Sequence, residues 1–208
     1  MPVTEKRKQQ QKSEDMRARL RRATLLTLME KGFRNAGTPE ICRLAGVSRG
    51  AMFHHYPNRN ALLLDAAIDL WHEVPERLRG LVANLKDGEF DIDAFVDGAW
   101  ENMFADDVVL PSLELTLAAR SDEELAGPVA EGLQELFNSY YEILHDTFAA
   151  QGWNEGAIRD SINLVLCALR GLKVQSLVYH SPQFETEMMA SLKNAFKYAI
   201  QAMAQDAN

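Results

Sequence analysis

Side chains that can bind a polyanion are concentrated in one short segment, between residues 38 and 59. Arg49 directly follows Ser48, which carries a hydroxyl, and His54 and His55 lie within two helical turns after Arg49. An arginine at the start of a helix can donate two hydrogen bonds to guanine O6 and N7. Histidine and hydroxyl side chains can donate to phosphate oxygens or approach a thymine edge. The chemistry that this segment favours is therefore hydrogen bonding to a nucleic acid.

Each of these residues also has a plainer interpretation. Arg49 can contact phosphate without reading any sequence, and Thr38 and Ser48 can serve as helix caps, with or without donating to phosphate. Tyr56 and Arg59 lie at the start of the next helix, where phosphate contact and simple solvation are the alternatives. The residue types alone do not choose between these roles.

Catalysis and metal binding are not expected. The chain has no GxSxG, phosphate-loop or HExxH pattern and no carboxylate pair in a persuasive context. Adjacent histidines on a helix point about 100° apart, so His54 and His55 make a poor metal pair. Cys42 and Cys167 lack any metal-ligand spacing and are interpreted as buried small apolar side chains. We expect neither an enzyme nor a cofactor.

Two short helices must position the polar segment. Each has about two turns, and Ala45-Gly46-Val47 joins them in a tight connection, where glycine can take a positive φ. Helices this short do not persist alone, so they must pack on their neighbours. The inward positions are Ile41, Leu44, Val47 and Met52. The second helix then presents outward Ser48, Arg49, Gly50, Ala51, Phe53, His54 and His55.

Charge is distributed unevenly along the 208 residues. The first 63 residues carry 13 Lys and Arg against 5 Asp and Glu, whereas the remainder carries 9 against 25. This asymmetry indicates a head that binds a polyanion and an acidic body that phosphate repels. No apolar run approaches the ~18 residues of a membrane helix, and the first 20 residues do not resemble a signal peptide. We expect a cytoplasmic protein without membrane contact.

The periodicity of apolar residues predicts an all-α chain of about nine helices. Residues 1–13 are polar and are interpreted as a flexible basic arm, and the first helix runs from Ser13 or Glu14 to Gly32. The next two helices begin at Thr38 and Ser48, and a fourth runs from Asn58 to about Lys86. The remaining helices are expected near 90–106, 109–120, 122–151, 155–180 and 183–205, with a kink or break at Gly127-Pro128.

The head resembles the tetracycline-repressor (TetR) family of bacterial transcriptional regulators over about residues 15–65. The residues that carry the resemblance are Lys31-Gly32-Phe33, Thr38, Ile41, Leu44-Ala45-Gly46-Val47-Ser48-Arg49-Gly50-Ala51, Phe53-His54-His55-Tyr56, Arg59 and Ala61-Leu62. Phe53 stands where the family commonly has a tyrosine whose hydroxyl meets a phosphate, so that hydrogen bond is missing here. Cys42 replaces the usual alanine, and Asn60 a frequent glutamate.

The resemblance implies a three-helix helix-turn-helix DNA-binding domain at 14–63, followed by a larger domain at 64–208 for ligand binding and dimerisation. It also implies a homodimer that binds a palindromic operator in double-stranded DNA and is released by a small-molecule effector. The residues expected to contact DNA are Thr38, Ser48, Arg49, Gly50, Ala51, Phe53, His54, His55, Tyr56 and Arg59.

The effector and the dimer partner are expected to bind the acidic body. The apolar content of that body favours a hydrophobic ligand, and the residues expected to line its pocket are Trp71, Trp100, Met103, Phe104, Leu115, Tyr141 and Cys167. Residues 155–205 have apolar faces suited to a symmetric dimer interface, with an ordinary monomeric core as the alternative. A DNA-binding protein without a small-molecule ligand, acting with protein partners or as a nucleoid or division factor, is the competing function.

Overall fold

Nine α-helices and no strand are found in the computed structural model, which describes residues 3–84, 91–149 and 154–206. The predicted all-α fold class and the number of helices are thereby confirmed for the described part of the chain. The helices are α1 Val3–Asn35, α2 Thr38–Ala45, α3 Arg49–His55, α4 Arg59–Asn84, α5 Ile92–Met103, α6 Asp106–Ala119, α7 Glu123–Ala149, α8 Glu155–Ser176 and α9 Pro182–Asp206.

Helix α1 begins much earlier than the sequence predicts. Residues 3–13 are helical, in place of the arm without regular structure that their polar composition predicts. The physical reason is that Lys, Arg, Gln and Glu are good helix formers even where no apolar face is present. The side-chain amide of Gln11 also donates to Asp15 Oδ1 at 3.0 Å, one turn further along the helix.

Gly32 interrupts α1 close to its end, as the sequence predicts. Its φ of 70° and ψ of 170° lie outside the helical region, in a conformation that residues with a Cβ rarely adopt. The following N–H group, that of Phe33, donates to Glu114 Oε2 of α6 at 2.6 Å. A Cβ on Gly32 would stand 3.1 Å from the same oxygen, so the Glu114 carboxylate would have to shift slightly, in addition to the strain of the positive φ.

Prolines do not divide the longer helices. Pro75 lies inside α4, Pro111 inside α6 and Pro128 inside α7. Of the kink or break predicted at Gly127-Pro128, the break is wrong, because α7 continues through both residues. No helix in the described ranges combines the length and the apolar character needed to cross a membrane.

The chain packs as two compact units. The first comprises residues 3–72 and 106–133, and the second comprises the remaining described residues. The first unit encloses Leu20, Leu28, Ile41, Met52 and Leu62, all fully buried. This division follows packing, whereas the domain boundary expected after residue 63 is a functional one and stays a prediction.

Trp71 belongs to the core of the first unit. It is buried, and its indole Nε1 donates to Ser112 Oγ at 2.9 Å. Its ring lies against Gly132 so closely that a Cβ there would stand 2.6 Å from the ring. Leu115 is also fully buried in this unit.

The second unit has an aromatic core. The ring of Phe148 meets Phe95 at 5.8 Å and Phe196 at 6.5 Å, both edge to face. Such pairs contribute beyond the area that they bury. Helices α5 and α9 are also joined by an ion pair between Lys197 and Asp93 at 2.6 Å.

Candidate DNA-binding interface

The turn between α2 and α3 is built around Gly46. This residue has φ 63° and ψ 39°, the left-handed conformation that ends a helix. Its N–H donates to Arg43 O, and the N–H of Val47 donates to Cys42 O at 3.0 Å. Arg19 of α1 donates to the Gly46 carbonyl at 2.9 Å, and a Cβ on Gly46 would collide with the same guanidinium. The turn is therefore held both by its own backbone hydrogen bonds and by the Arg19 guanidinium of α1.

Ser48 caps the helix that follows. Its hydroxyl oxygen accepts the Ala51 N–H at 3.1 Å, which satisfies one of the free donors at the start of α3. The corresponding prediction for Thr38 is wrong. Gly37 occupies the cap position of α2, no side chain accepts there, and Thr38 is the first helical residue, followed by Pro39.

The inward side of the two helices differs from the prediction at one position. Ile41 and Met52 are fully buried, as predicted. Leu44, however, is 39% exposed, and Ala45 is buried instead. The reason is geometric: Ile41 and Ala45 are four residues apart on one face of α2, whereas Leu44 is turned toward the edge of that face.

The outward side of α3 is open. Ser48, Arg49, Gly50 and His54 are exposed, Phe53 is 46% exposed, and Ala51 and His55 are half-buried. Among the described residues, no carboxylate pairs with Arg49, and the two histidine rings contact each other edge to face at 5.3 Å. A Cβ on Gly50 would meet nothing within 4 Å. This face can therefore approach a large partner without rearrangement.

Tyr56 points in the opposite direction. It is 3% exposed, and its hydroxyl donates to Asp65 Oδ2 of α4 at 2.6 Å. Burial, followed by this hydrogen bond, raises the pKa of Tyr56 to about 12. Arg17 and Arg21 of α1 also reach Asp65, at 3.5 and 3.4 Å. We call these four residues the Asp65 cluster; it ties the end of α3 to α1 and α4.

Arg59 is also held inside the first unit. Its Nε donates to Ala36 O at 2.7 Å, its Nη2 donates to Phe33 O, and its guanidinium lies 4.3 Å from the centre of the Phe33 ring. Burial lowers the pKa of Arg59 below its ordinary value, and Asp122 opposes that shift. The sequence predicts phosphate contacts for Tyr56 and Arg59, but these internal bonds occupy both side chains. We therefore assign them a positioning role.

Comparison with known proteins agrees with this geometry. Residues 20–66 match the family described as bacterial regulatory proteins, tetR family. The HTH-type transcriptional regulator CymR of Pseudomonas putida is 32% identical over 176 residues, which cover 83% of this chain and 84% of CymR. The chain belongs to the TetR family of bacterial regulatory proteins.

Solved structures show the TetR fold along nearly the whole chain. A transcriptional regulator from Pseudomonas aeruginosa PAO1 superposes with a TM-score of 0.69 at 22% identity, covering 92% of each chain. A TetR-family regulator from Mesorhizobium loti gives 0.71 at 12% identity, covering 91% of this chain and 97% of its own. The family match and the similarity to CymR further identify the protein as a helix-turn-helix transcriptional regulator, which is not a class of enzymes.

A second candidate site of this TetR-family chain is an apolar cavity inside the second unit. Side chains of α5, α7, α8 and α9 line it, including Phe95, Met103, Phe148, Leu169 and Phe196. The space open to a water-sized sphere is about 10 Å³, roughly one water molecule. Any larger occupant must displace the lining side chains.

Most residues predicted to bind the effector lie elsewhere. Met103 lines the cavity, whereas Trp71 and Leu115 belong to the core of the first unit. Trp100 stacks on Phe104 at 6.5 Å, and Lys173 Nζ lies 5.0 Å from the centre of the Trp100 ring.

Two further members of the predicted set lie outside the cavity lining. Tyr141 is half-buried, with Arg159 over its ring at 4.9 Å. Cys167 is exposed, so its interpretation as a buried residue is wrong, while Cys42 is buried as predicted. Aromatic and apolar residue types mark a core, but they do not show which helix faces enclose a space.

One cavity residue escaped the sequence analysis. Ser161 of α8 lines the cavity and is 3% exposed, and its Oγ has no hydrogen-bond partner among the described residues. A single serine in an apolar helix carries no sequence signal of its own. No group of three or more His, Cys, Asp or Glu side chains that could hold a metal is found in the described ranges.

Proposed function

We propose that this protein is a homodimeric repressor that binds a palindromic operator through α3 and leaves it when a small hydrophobic effector binds the second unit. The observation that carries the proposal is the contrast around α3. Most of its outer face is exposed and Arg49 has no carboxylate partner in the described ranges, while Tyr56 and Arg59 beneath it are bonded internally. A helix held in this way can enter a major groove without losing its own contacts.

Base reading is assigned to Arg49. It stands at the first position of α3, is exposed, and can donate two hydrogen bonds to guanine. Ser48, Gly50, Ala51, His54 and His55 surround it. Small side chains at 50 and 51 let the helix approach closely, and the histidines extend the contact to phosphate or a thymine edge. Thr38 and Phe53 are proposed as peripheral contacts, Phe53 through its ring.

The dimer interface is assigned to exposed apolar residues of α8 and α9. Several residues on the apolar faces that the periodicity of 155–205 predicts, including Ile158, Ile162 and Phe196, are buried within the unit. Large apolar side chains nevertheless remain exposed on these helices; they are Leu164, Val174, Met188 and Tyr198, with Val178 just beyond α8 at 87% exposure. Several exposed apolar side chains on neighbouring helices are typical of an interaction surface. A two-fold axis through this surface would allow the α3 helices of two subunits to bind one operator.

Selection of bound sequences from random duplex DNA tests the proposal. We expect a palindrome whose half-sites are about one helical turn, 34–36 Å, apart, and a complex containing an even number of chains. A single unrepeated half-site would overturn the dimer, and the absence of any preferred sequence would overturn the DNA reader. Tyr198→Asp, which places a charge on the proposed interface, should produce a monomer that binds the palindrome poorly. Glu142→Lys on α7 is the matched surface control.

A further inference from the structure

Ser161 differs from the buried threonines in the part of the chain that the structure describes. The described buried polar side chains are Thr24, Thr27, Thr147 and Ser161. The three threonines donate to the carbonyl four residues earlier, at 2.7 to 3.0 Å, which is the usual way a buried hydroxyl in a helix is satisfied. Ser161 Oγ has no such bond and lies at the apolar cavity. A buried hydroxyl without a partner costs free energy unless something else binds it.

The surroundings of Ser161 also restrict the charge of an occupant. No described residue that lines the cavity is charged, and Ser161 is the only described lining residue with a side-chain hydroxyl. Lys193 and Lys197, the nearest cations in sequence to Phe196 on α9, are paired with Asp97 and Asp93 at 2.5 and 2.6 Å. An ionised ligand in this cavity would therefore lose its hydration without gaining a counter-charge, which is strongly unfavourable.

We infer that Ser161 is the polar anchor of the effector site, and that the effector is an uncharged molecule with an apolar body and one hydrogen-bonding group. This inference rests on the proposed function, since it places the effector in the second unit. The apolar body would pack on Phe95, Phe148 and Leu169, and its hydroxyl or carbonyl would bond to Ser161 Oγ. Because the cavity has room for only about one water molecule, the ligand must push α5, α8 or α9 side chains apart as it enters.

Three small probes of matched shape separate the possibilities: benzyl alcohol, ethylbenzene and benzoate. Binding to the full-length protein is measured by titration calorimetry without DNA. We expect benzyl alcohol to bind more tightly than ethylbenzene or benzoate. Ser161→Ala should weaken benzyl alcohol by about 5-fold, the value of one hydrogen bond, and should leave ethylbenzene unchanged or slightly tighter. Ser191→Ala, which removes an exposed hydroxyl of α9 bonded to Glu187 O at 2.9 Å, should change neither.

Ser161→Cys is a second variant, for use if Ser161→Ala folds poorly. It keeps the size of the side chain but has a weaker hydrogen-bond donor, so it should also bind benzyl alcohol less tightly than the wild type does. Equal binding of benzyl alcohol to the wild type and both variants would show that the hydroxyl is only structural, and would overturn the inference. Preferential binding of benzoate would overturn the uncharged class, and failure of all three probes to bind would overturn the site.

The outcome for the proposed function is read separately, on the selected operator. In one outcome, the protein prefers benzyl alcohol in a way that depends on Ser161 while its affinity for the operator stays unchanged. That result would support the ligand site and contradict release from the operator by a ligand in this cavity. If operator binding is specific but no preference for the alcohol is found, the DNA reader stands and the role of Ser161 fails.

Discussion

The outer face of α3 and the layer beneath it contain similar residue types in opposite situations. Arg49 and His54 are exposed, and no carboxylate among the described residues pairs with either of them, whereas Arg59 and Tyr56 lie a few residues further along and are bonded to backbone carbonyls and to Asp65. On the proposed function, the polar residues of this segment divide into exposed ones that contact DNA and internally bonded ones that hold α3 in place. Each of the following variants tests that division.

Arg59→Ala should have the largest effect on stability. The variant leaves the Phe33 and Ala36 carbonyls without their donor and uncovers the Phe33 ring, so we expect a loss of about 3 kcal/mol in the free energy of unfolding. Urea denaturation measures this loss. Arg59→Lys should recover little of it, since an ammonium lacks the planar fork. A stable Arg59→Ala variant with a shallower salt dependence of DNA binding would instead favour a phosphate contact.

Tyr56→Phe should cost less, and its effect should depend on pH. The hydroxyl bond to Asp65 contributes about 1–2 kcal/mol near neutral pH. Because the pKa of Tyr56 is raised to about 12 in the folded protein, the unfolded chain releases this proton first, near pH 10. The wild type should therefore lose stability relative to Tyr56→Phe as the pH rises from about 10 to 12.

The same pair of proteins serves as its own control. Tyr140, whose pKa is also raised by burial, is present in both and cancels in the difference. Parallel stability curves for the two proteins over that pH range would contradict the buried position of the Tyr56 hydroxyl.

Ser48→Ala should have a smaller effect. Loss of the cap on α3 is expected to cost about 1 kcal/mol. Thr38→Ala is the matched comparison, since Thr38 accepts no capping bond and should change stability by less than about 0.5 kcal/mol. Thermal unfolding of both variants measures the contrast, and equal losses would remove the distinction between the two hydroxyls.

The sequence predicted some levels of this structure better than others. Periodicity and the residues around Gly46 predicted the fold class, the turn and the Ser48 cap, because these depend on local conformation. The Asp65 cluster was missed because it joins residues from α1, α3 and α4, and spacing along one segment does not show such contacts. The cavity was missed for a related reason: Phe148 and Phe196 were recognisable as apolar, but their closeness to Ser161 depends on how three helices pack.

The polar composition of residues 3–13 also led to a wrong prediction of their secondary structure. Residues 3–13 lack an apolar face, yet they continue α1, since intrinsic helix preference acts without burial. Leu44 shows the reverse error. It was predicted to point inward because it is apolar, but its position on the two-turn helix α2 leaves it exposed.

The most direct test of the account is the ratio of operator affinity to random-DNA affinity for Arg49→Ala, measured at one fixed ionic strength with the wild type beside it. We predict that the ratio falls by about 1–3 kcal/mol while the melting temperature stays unchanged, because the proposed role of Arg49 is to read bases and its side chain is exposed. An unchanged ratio, or a fall matched by an equal loss of folding stability, would contradict the assignment of α3 as the reading helix.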